Sequence, residues 1–237
     1  MTKQTPTQTR SSESDRRAVT TSELCYRWPD SKVALQFPDV TLERGEHLFI
    51  KGPSGSGKST LLSLLAGMLR PTSGAVSLLG EDITPFTNGQ RDRFRADHMG
   101  VIFQQFNLVP YLTTLGNVTL PCRLSPKRHQ LAKPEPSQEA EALLAELAIP
   151  QTHWHQPVTR LSVGQQQRVA AARALIGHPE LILADEPTSA LDTDNRDRFI
   201  ELLLTLGQKA GSSVIFVSHD QSLASHFDHE LILEAHP

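Results

Sequence analysis

Three short stretches carry residues whose types and spacing can do chemistry. The first is GPSGSGKST, Gly52 to Thr60, in which Gly52, Gly57, Lys58 and Ser59 fit the pattern G-x-x-x-x-G-K-[ST]. Glycine freedom lets the backbone of Gly52, Pro53, Ser54, Gly55, Ser56, Gly57, Lys58, Ser59 and Thr60 turn so that its N–H groups cradle phosphate oxygens. Lys58 brings a positive charge to the β- and γ-phosphates, and the Ser59 hydroxyl can ligate Mg²⁺. The second stretch is LILADEPTSALD, Leu181 to Asp192. Its apolar run ends in Asp185, a carboxylate able to hold Mg²⁺ through water, and Glu186 beside it is suited to orient or deprotonate an attacking water. The third is LSVGQQQRVAAARAL, Leu161 to Leu175. Ser162 and Gly164 can open a helix whose first-turn N–H groups face an anion.

These groups need rigid elements to carry them. His47–Lys51 predicts a strand running into the glycine-rich loop, and a helix follows through Leu61, Leu62, Leu65 and Met68. Earlier strands are expected at Ser22–Trp28 and Val33–Phe37, and a later one at Ala75–Leu79. Leu181–Asp185 and Ser213–Val217 are continuous apolar runs, the pattern of strands buried on both faces. Phe199, Leu202, Leu203 and Leu206 mark a helix between them, so the alternation predicts a mostly parallel sheet with helices on both sides. Ala140, Leu143, Leu144 and Leu147 predict an amphipathic helix, with Ser137 expected as its N-cap.

In order and spacing the motifs resemble those of ABC transporter nucleotide-binding domains, over about residues 20 to 233. Two more motifs fit: Gln104, in GVIFQQFNL, looks like the family's Q-loop glutamine, and His219, in VIFVSHD, looks like its switch histidine. Ser189–Asp192 looks like the D-loop, placing Asp192 near the nucleotide. Trp28 stands where the family has an aromatic that stacks on adenine, with Tyr26 a nearby competitor. The resemblance implies an α/β P-loop NTPase of the ABC-ATPase fold. Its features are a mostly parallel core sheet, an N-terminal antiparallel β region and an inserted helical subdomain, here at about 90–165 within a domain 19–237. It implies ATP and Mg²⁺ as cofactors, with Ser59, Gln104 and Asp185 at the metal, and Glu186, His219, Gln104 and Lys58 in catalysis. It implies a homodimer formed on ATP binding, in which Ser162, Gly164 and Gln165 of one copy face the P-loop of the other. It also implies a separate integral membrane permease. Val163 departs from the family, which has glycine there; a β-branched residue suits helical or extended backbone and resists φ > 0.

The stretch Met99 to Pro121 is similar to the branch that contains lipoprotein-release, macrolide-export and cell-division ATPases, with amino-acid importers as the rival. Its Phe103, Phe106, Leu108, Val109 and Tyr111 form an apolar cluster expected to contribute to a groove for a permease helix. A P-loop kinase has no use for LSVGQ, and a DNA-repair relative would need a long heptad insertion that residues 60–160 lack. A membrane-coupled regulator that hydrolyses ATP without moving cargo shares every motif.

Composition bounds the rest. A net charge of −3 argues against a nucleic-acid partner. No run reaches the roughly 20 apolar residues of a membrane span, and the start of the chain shows no apolar signal core. The expectation is therefore a peripheral protein on the cytoplasmic face of the inner membrane, without direct insertion. Residues 1–18, almost all polar, predict a disordered tail. Ten histidines include H-W-H at His153–His155, but neither that group nor His226 and His229 has enough companion ligands for a metal.

Overall fold

The computed structural model describes residues 16–188 and 193–234. β1 (Arg17–Tyr26) pairs antiparallel with β2 (Leu35–Gln36), β3 (Thr41–Glu43) and β5 (Ser73–Leu78), and β6 (Glu81–Asp82) adds to β5. Between β3 and β5 run β4 (His47–Lys51) and α1 (Lys58–Leu65). β4 belongs to a second sheet, entirely parallel, in the order β10-β4-β9-β8-β7. Its other members are β7 (Met99–Ile102), β8 (Leu181–Asp185), β9 (Ser213–Val217) and β10 (His229–Ile232).

Both faces of the parallel sheet are covered at its inner strands, which is why β8 and β9 read as apolar runs. Leu48, Ile50, Leu181, Leu183, Ile215 and Val217 point to one side and pack with α1 and the antiparallel sheet. Phe49, Ile182, Ala184, Val214 and Phe216 alternate with them and point to the other side, into a helical layer. That layer contains α6 (Val163–Leu175), α7 (Thr193–Ala210) and a helical segment of α3 (Thr114–Leu124), α4 (Pro126–Leu131) and α5 (Pro136–Glu146).

Several expected boundaries shift. The strand expected from Ser22 starts at Arg17, inside the predicted tail, with Ala18 fully buried. It is held by pairing to three neighbouring strands, and the Thr21 hydroxyl accepts from Val40 N, so a polar-looking stretch earns its place through partners. It stops at Tyr26, leaving Trp28 outside, and only Leu35–Gln36 of the expected second strand pairs. α1 ends at Leu65, with Gly67 in the left-handed region at φ 63°, so Met68 lies beyond the helix.

α2 (Asn88–His98) and β7 precede the helical segment, and β7 is an edge strand of the core sheet. The stretch expected as the helical insertion, about 90–165, thus includes a strand of the core sheet. α5 starts at Pro136 with Glu135, not Ser137, as N-cap; proline suits the first helical position because that N–H has no intrahelical partner. The Ser137 hydroxyl instead donates to Glu135 Oε1. On the inner face of α5, Ala140 and Leu144 are fully buried, as is Leu147 just past its end, and each leucine contributes roughly 1.5–3 kcal/mol.

One arginine fastens the helical segment to the core. Arg128 of α4 is buried and donates to the carbonyls of Ile176, Ala174 and Met99, closing the C-terminal end of α6 and the start of β7. Burial pushes its guanidinium down to about 10, still charged at neutral pH.

Candidate functional site

The carboxyl ends of β4, β8 and β9 meet at one edge of the parallel sheet, where ligands of open α/β folds bind. The glycine-rich loop leaves β4 there. Gly55 and Gly57 take φ of 83° and 89°, a region that costs other residues steric strain. Gly52 is needed for a different reason. A Cβ at this position would stand 2.5 Å from Leu233 O and from Ser56 Oγ.

The charged groups converge on this loop. Lys58 Nζ donates to Gly52 O at 2.8 Å and Pro53 O at 3.0 Å, and sits 3.8 Å from Glu186 Oε1. Ser59 Oγ donates to Asp185 Oδ1 at 3.2 Å. His219 Nδ1 lies 3.5 Å from Glu186 Oε2, with its ring largely exposed. Glu186 follows β8 at φ 44°, an unfavourable conformation for a glutamate, held by its N–H donating to Val217 O. Such strain persists only where surrounding contacts impose it, and it concentrates at working sites. Here it turns the carboxylate between Lys58 and His219.

A cavity of about 700 Å³ opens at this edge. Its polar side is formed by Lys58, Ser59, Thr60, Gln104, Glu186 and His219, and its far wall by Trp28 and Leu35. Trp28 is 46% exposed and reaches the cavity, whereas Tyr26, against its edge at 5.1 Å, is buried. Leu35 was not foreseen; nothing about an isolated leucine in a two-residue strand signals it. Pro53 contributes its carbonyl, while the Ser56 side chain is buried behind the loop rather than facing the cavity.

Asp185 is held above the ordinary aspartate range, first by burial and then by the neighbouring Glu186 charge; the Ser59 hydrogen bond and Lys58 pull the other way. The folded protein thus keeps this proton to higher pH than the unfolded chain. Stability declines as pH rises through that window and stays lower above it. Asp185→Asn is therefore expected to raise the melting temperature by a few degrees at pH 8. A lowered melting temperature would mean the carboxylate stabilises the fold.

The third motif lies elsewhere. Ser162 caps α6: its Oγ accepts from Gln165 N at 3.3 Å and its N–H donates to Gln165 Oε1 at 2.9 Å. Gln165 Nε2 also lies 3.4 Å from His153 Nδ1. Val163 is the first helical residue, so the family's glycine is replaced at a position with no need for positive φ. Ser162 and Gly164 line a separate cavity of about 510 Å³, with Arg168 and Arg198, and do not reach the P-loop cavity of their own chain. Asp192 lies outside the described residues.

A strand ending in a P-loop, acidic residues closing the next strand but one, and a capped signature helix together define an ATP-binding cassette. A family model for ABC transporters matches residues 35–189, and the chain belongs to that family. It is an ATPase. An uncharacterized ABC transporter ATP-binding protein of Mycobacterium tuberculosis is 42% identical over 91% of this chain and 86% of its own length. The lipoprotein-releasing system ATP-binding protein LolD of Porphyromonas gingivalis is 39% identical over 80% of this chain and 84% of its own. Among solved structures, the dimeric ATP-binding cassette MJ0796 in a post-hydrolysis state with ADP and Pi superposes with a TM-score of 0.80. It shares 33% identity, covering 92% of this chain and 97% of that one.

Proposed function

We propose that this chain dimerises head to tail on binding ATP and drives a separate membrane permease of the extrusion or mechanical type. The observation that carries the dimer is the separation of the two halves of the site. The Ser162–Gly164 helix start does not reach the P-loop cavity of its own chain, so a second copy must supply it. The dimeric state of MJ0796 and the relation to LolD support the reading.

Each ATP lies with adenine against Trp28 and its phosphates in the loop Gly52–Thr60, and Lys58 bridges the β- and γ-phosphates. Ser162 and Gly164 of the second copy approach the γ-phosphate through the helix N-terminus. Ser59 and Asp185, a hydroxyl and a carboxylate 3.2 Å apart, are the hard oxygen donors that suit Mg²⁺, with Gln104 completing its surroundings. A Mg²⁺ held by these residues would supply positive charge to the phosphates. Glu186 orients the water and takes its proton as the water oxygen bonds to the γ-phosphorus. The bond from that phosphorus to the bridging oxygen breaks, leaving ADP and phosphate. His219 holds the γ-phosphate in line.

The permease docks at a groove of about 350 Å³ bordered by Val101, Phe103, Leu120, Pro121 and Leu124. Leu124 is 67% exposed, and Tyr111, which does not border the groove, is 85% exposed; large apolar side chains left in water mark binding sites. Phe106, expected in the same surface, is instead part of the core. Gln104 follows β7, which borders this groove, and also lines the ATP cavity, so it links the two. No helix among the described residues is long and apolar enough to cross a membrane. The chain works from the cytoplasmic face of the inner membrane, held by its permease.

Pull-down of the tagged chain from native membranes in mild detergent, with mass spectrometry, tests the coupling. A stoichiometric permease with a large extracytoplasmic domain is expected. A permease accompanied by a solute-binding protein would overturn the extrusion branch in favour of an importer, and no membrane partner at all would overturn the coupling.

A further inference from the structure

Arg196, on the first turns of α7, sits away from the nucleotide cavity but grips the loop that carries His219. Its Nη1 pairs with Asp220 Oδ2 and its Nη2 donates to Ser222 Oγ at 3.2 Å. Its Nε donates to Asp197 Oδ1 at 2.9 Å, which fixes the plane of the guanidinium. The Arg196 side chain is 13% exposed. The gripped loop is otherwise held by one bond to β4 and by bonds of its own. Ser218 N donates to Ile50 O at 3.1 Å, Asp220 N donates to Ser218 Oγ at 3.1 Å, and Asp220 Oδ1 accepts from Ser222 N and Ser222 Oγ at 3.0 and 2.8 Å. The two oxygens of Asp220 are thus divided: Oδ1 closes its own 3₁₀ turn, Gln221–His226, and Oδ2 faces Arg196. The Asp220 carboxyl is held below the usual range, first by the Ser222 bonds and also by Arg196 and His219.

We infer that Arg196 is a positioning residue for hydrolysis, which acts through Asp220 to hold the His219 backbone in register with Glu186. The inference rests on the reading of His219 as the γ-phosphate contact. Two effects follow from the geometry. His219 lies between Ser218, pinned to β4, and Asp220, pinned to α7, so its ring can swing while its backbone cannot drift. An error of about 1 Å in such a group is enough to cost orders of magnitude in rate. Arg196 also neutralises Asp220, an anion one residue from a histidine that must meet a polyanion. Without Arg196 that negative charge would oppose the approach of the γ-phosphate. The clamp ties the switch loop to α7, an element that packs in the helical layer, so movement of that layer reaches His219 directly.

The test uses the purified chain, with ATP turnover measured against ATP concentration and nucleotide affinity measured separately with a fluorescent ATP analogue. For Arg196→Ala, kcat should fall about tenfold or more while ATP affinity changes less than about twofold. Arg196→Lys, which keeps the charge but loses the fork, should recover part of the rate. Asp220→Ala should cost about as much as Arg196→Ala, and the double variant no more than either, because the two act as one unit. Wild-type turnover in Arg196→Ala beside an inactive His219→Ala would overturn this inference alone. So would additive losses in the double variant, or a rate that falls only in step with melting temperature and is not restored by lysine. Wild-type turnover in His219→Ala would instead remove the reading on which the inference rests.

Discussion

Glu186→Gln is expected to lower steady-state ATP turnover by about 10²–10⁴-fold, the range for losing a positioned general base, while ATP still binds. The geometry gives both halves of that result. Gln keeps the shape that fits at φ 44° between Lys58, 3.8 Å away, and His219, 3.5 Å away, so the loop and lysine remain in place. It loses the basicity needed to take a proton from water. It also removes a negative charge from beside the γ-phosphate site, so ATP should be held longer than in the wild type. If two copies share each ATP, the unhydrolysed nucleotide should trap them together. Size-exclusion chromatography with light scattering in ATP should then show a dimer for Glu186→Gln and a monomer without nucleotide. Turnover at the wild-type rate would remove Glu186 from the catalytic role, and a variant that stays monomeric with saturating ATP would count against the shared site.

Lys58→Ala should act one step earlier, on binding. The ammonium is held over the mouth of the loop by two backbone carbonyls, a placement that presents its charge to phosphate oxygens. Hydrogen bonds to charged groups are worth about 1.5–3 kcal/mol, so ATP affinity should fall roughly 10- to 100-fold by isothermal titration. The loss should be similar for ADP and smaller for AMP, given the proposed placement of Lys58 at the β- and γ-phosphates. The fold should survive, because Lys58 is the first residue of α1 and its leucines still anchor that helix. Unchanged ATP affinity would contradict the assignment of this loop as the phosphate cradle. The two variants therefore separate: one binds and stalls, the other fails to bind.

Much of this was legible from residue types and spacing. The P-loop, the Asp185–Glu186 pair and the buried strands at Leu181–Asp185 and Ser213–Val217 announce themselves locally. Each is a contiguous run whose chemistry depends on neighbours in the chain, and covered strands must be apolar throughout. The helix at Val163–Leu175 was legible for the same reason, since capping is a matter of residues three apart. Boundaries were harder wherever stability comes from across the sheet. Arg17–Tyr26 is polar in appearance yet forms a ten-residue strand because three neighbouring strands satisfy its backbone.

Only the tertiary structure brought Gln104, Glu186 and His219 to one sheet edge, 82 residues apart in sequence at the first step and 33 at the second. Only it added Leu35 to the cavity wall and set Arg196 on Asp220. The reason is physical. A motif's chemistry is written in side-chain types and short spacings, but distances between motifs are set by strand order and by how helices pack on the sheet. Those follow from burial summed over the whole chain, and no single stretch contains that information.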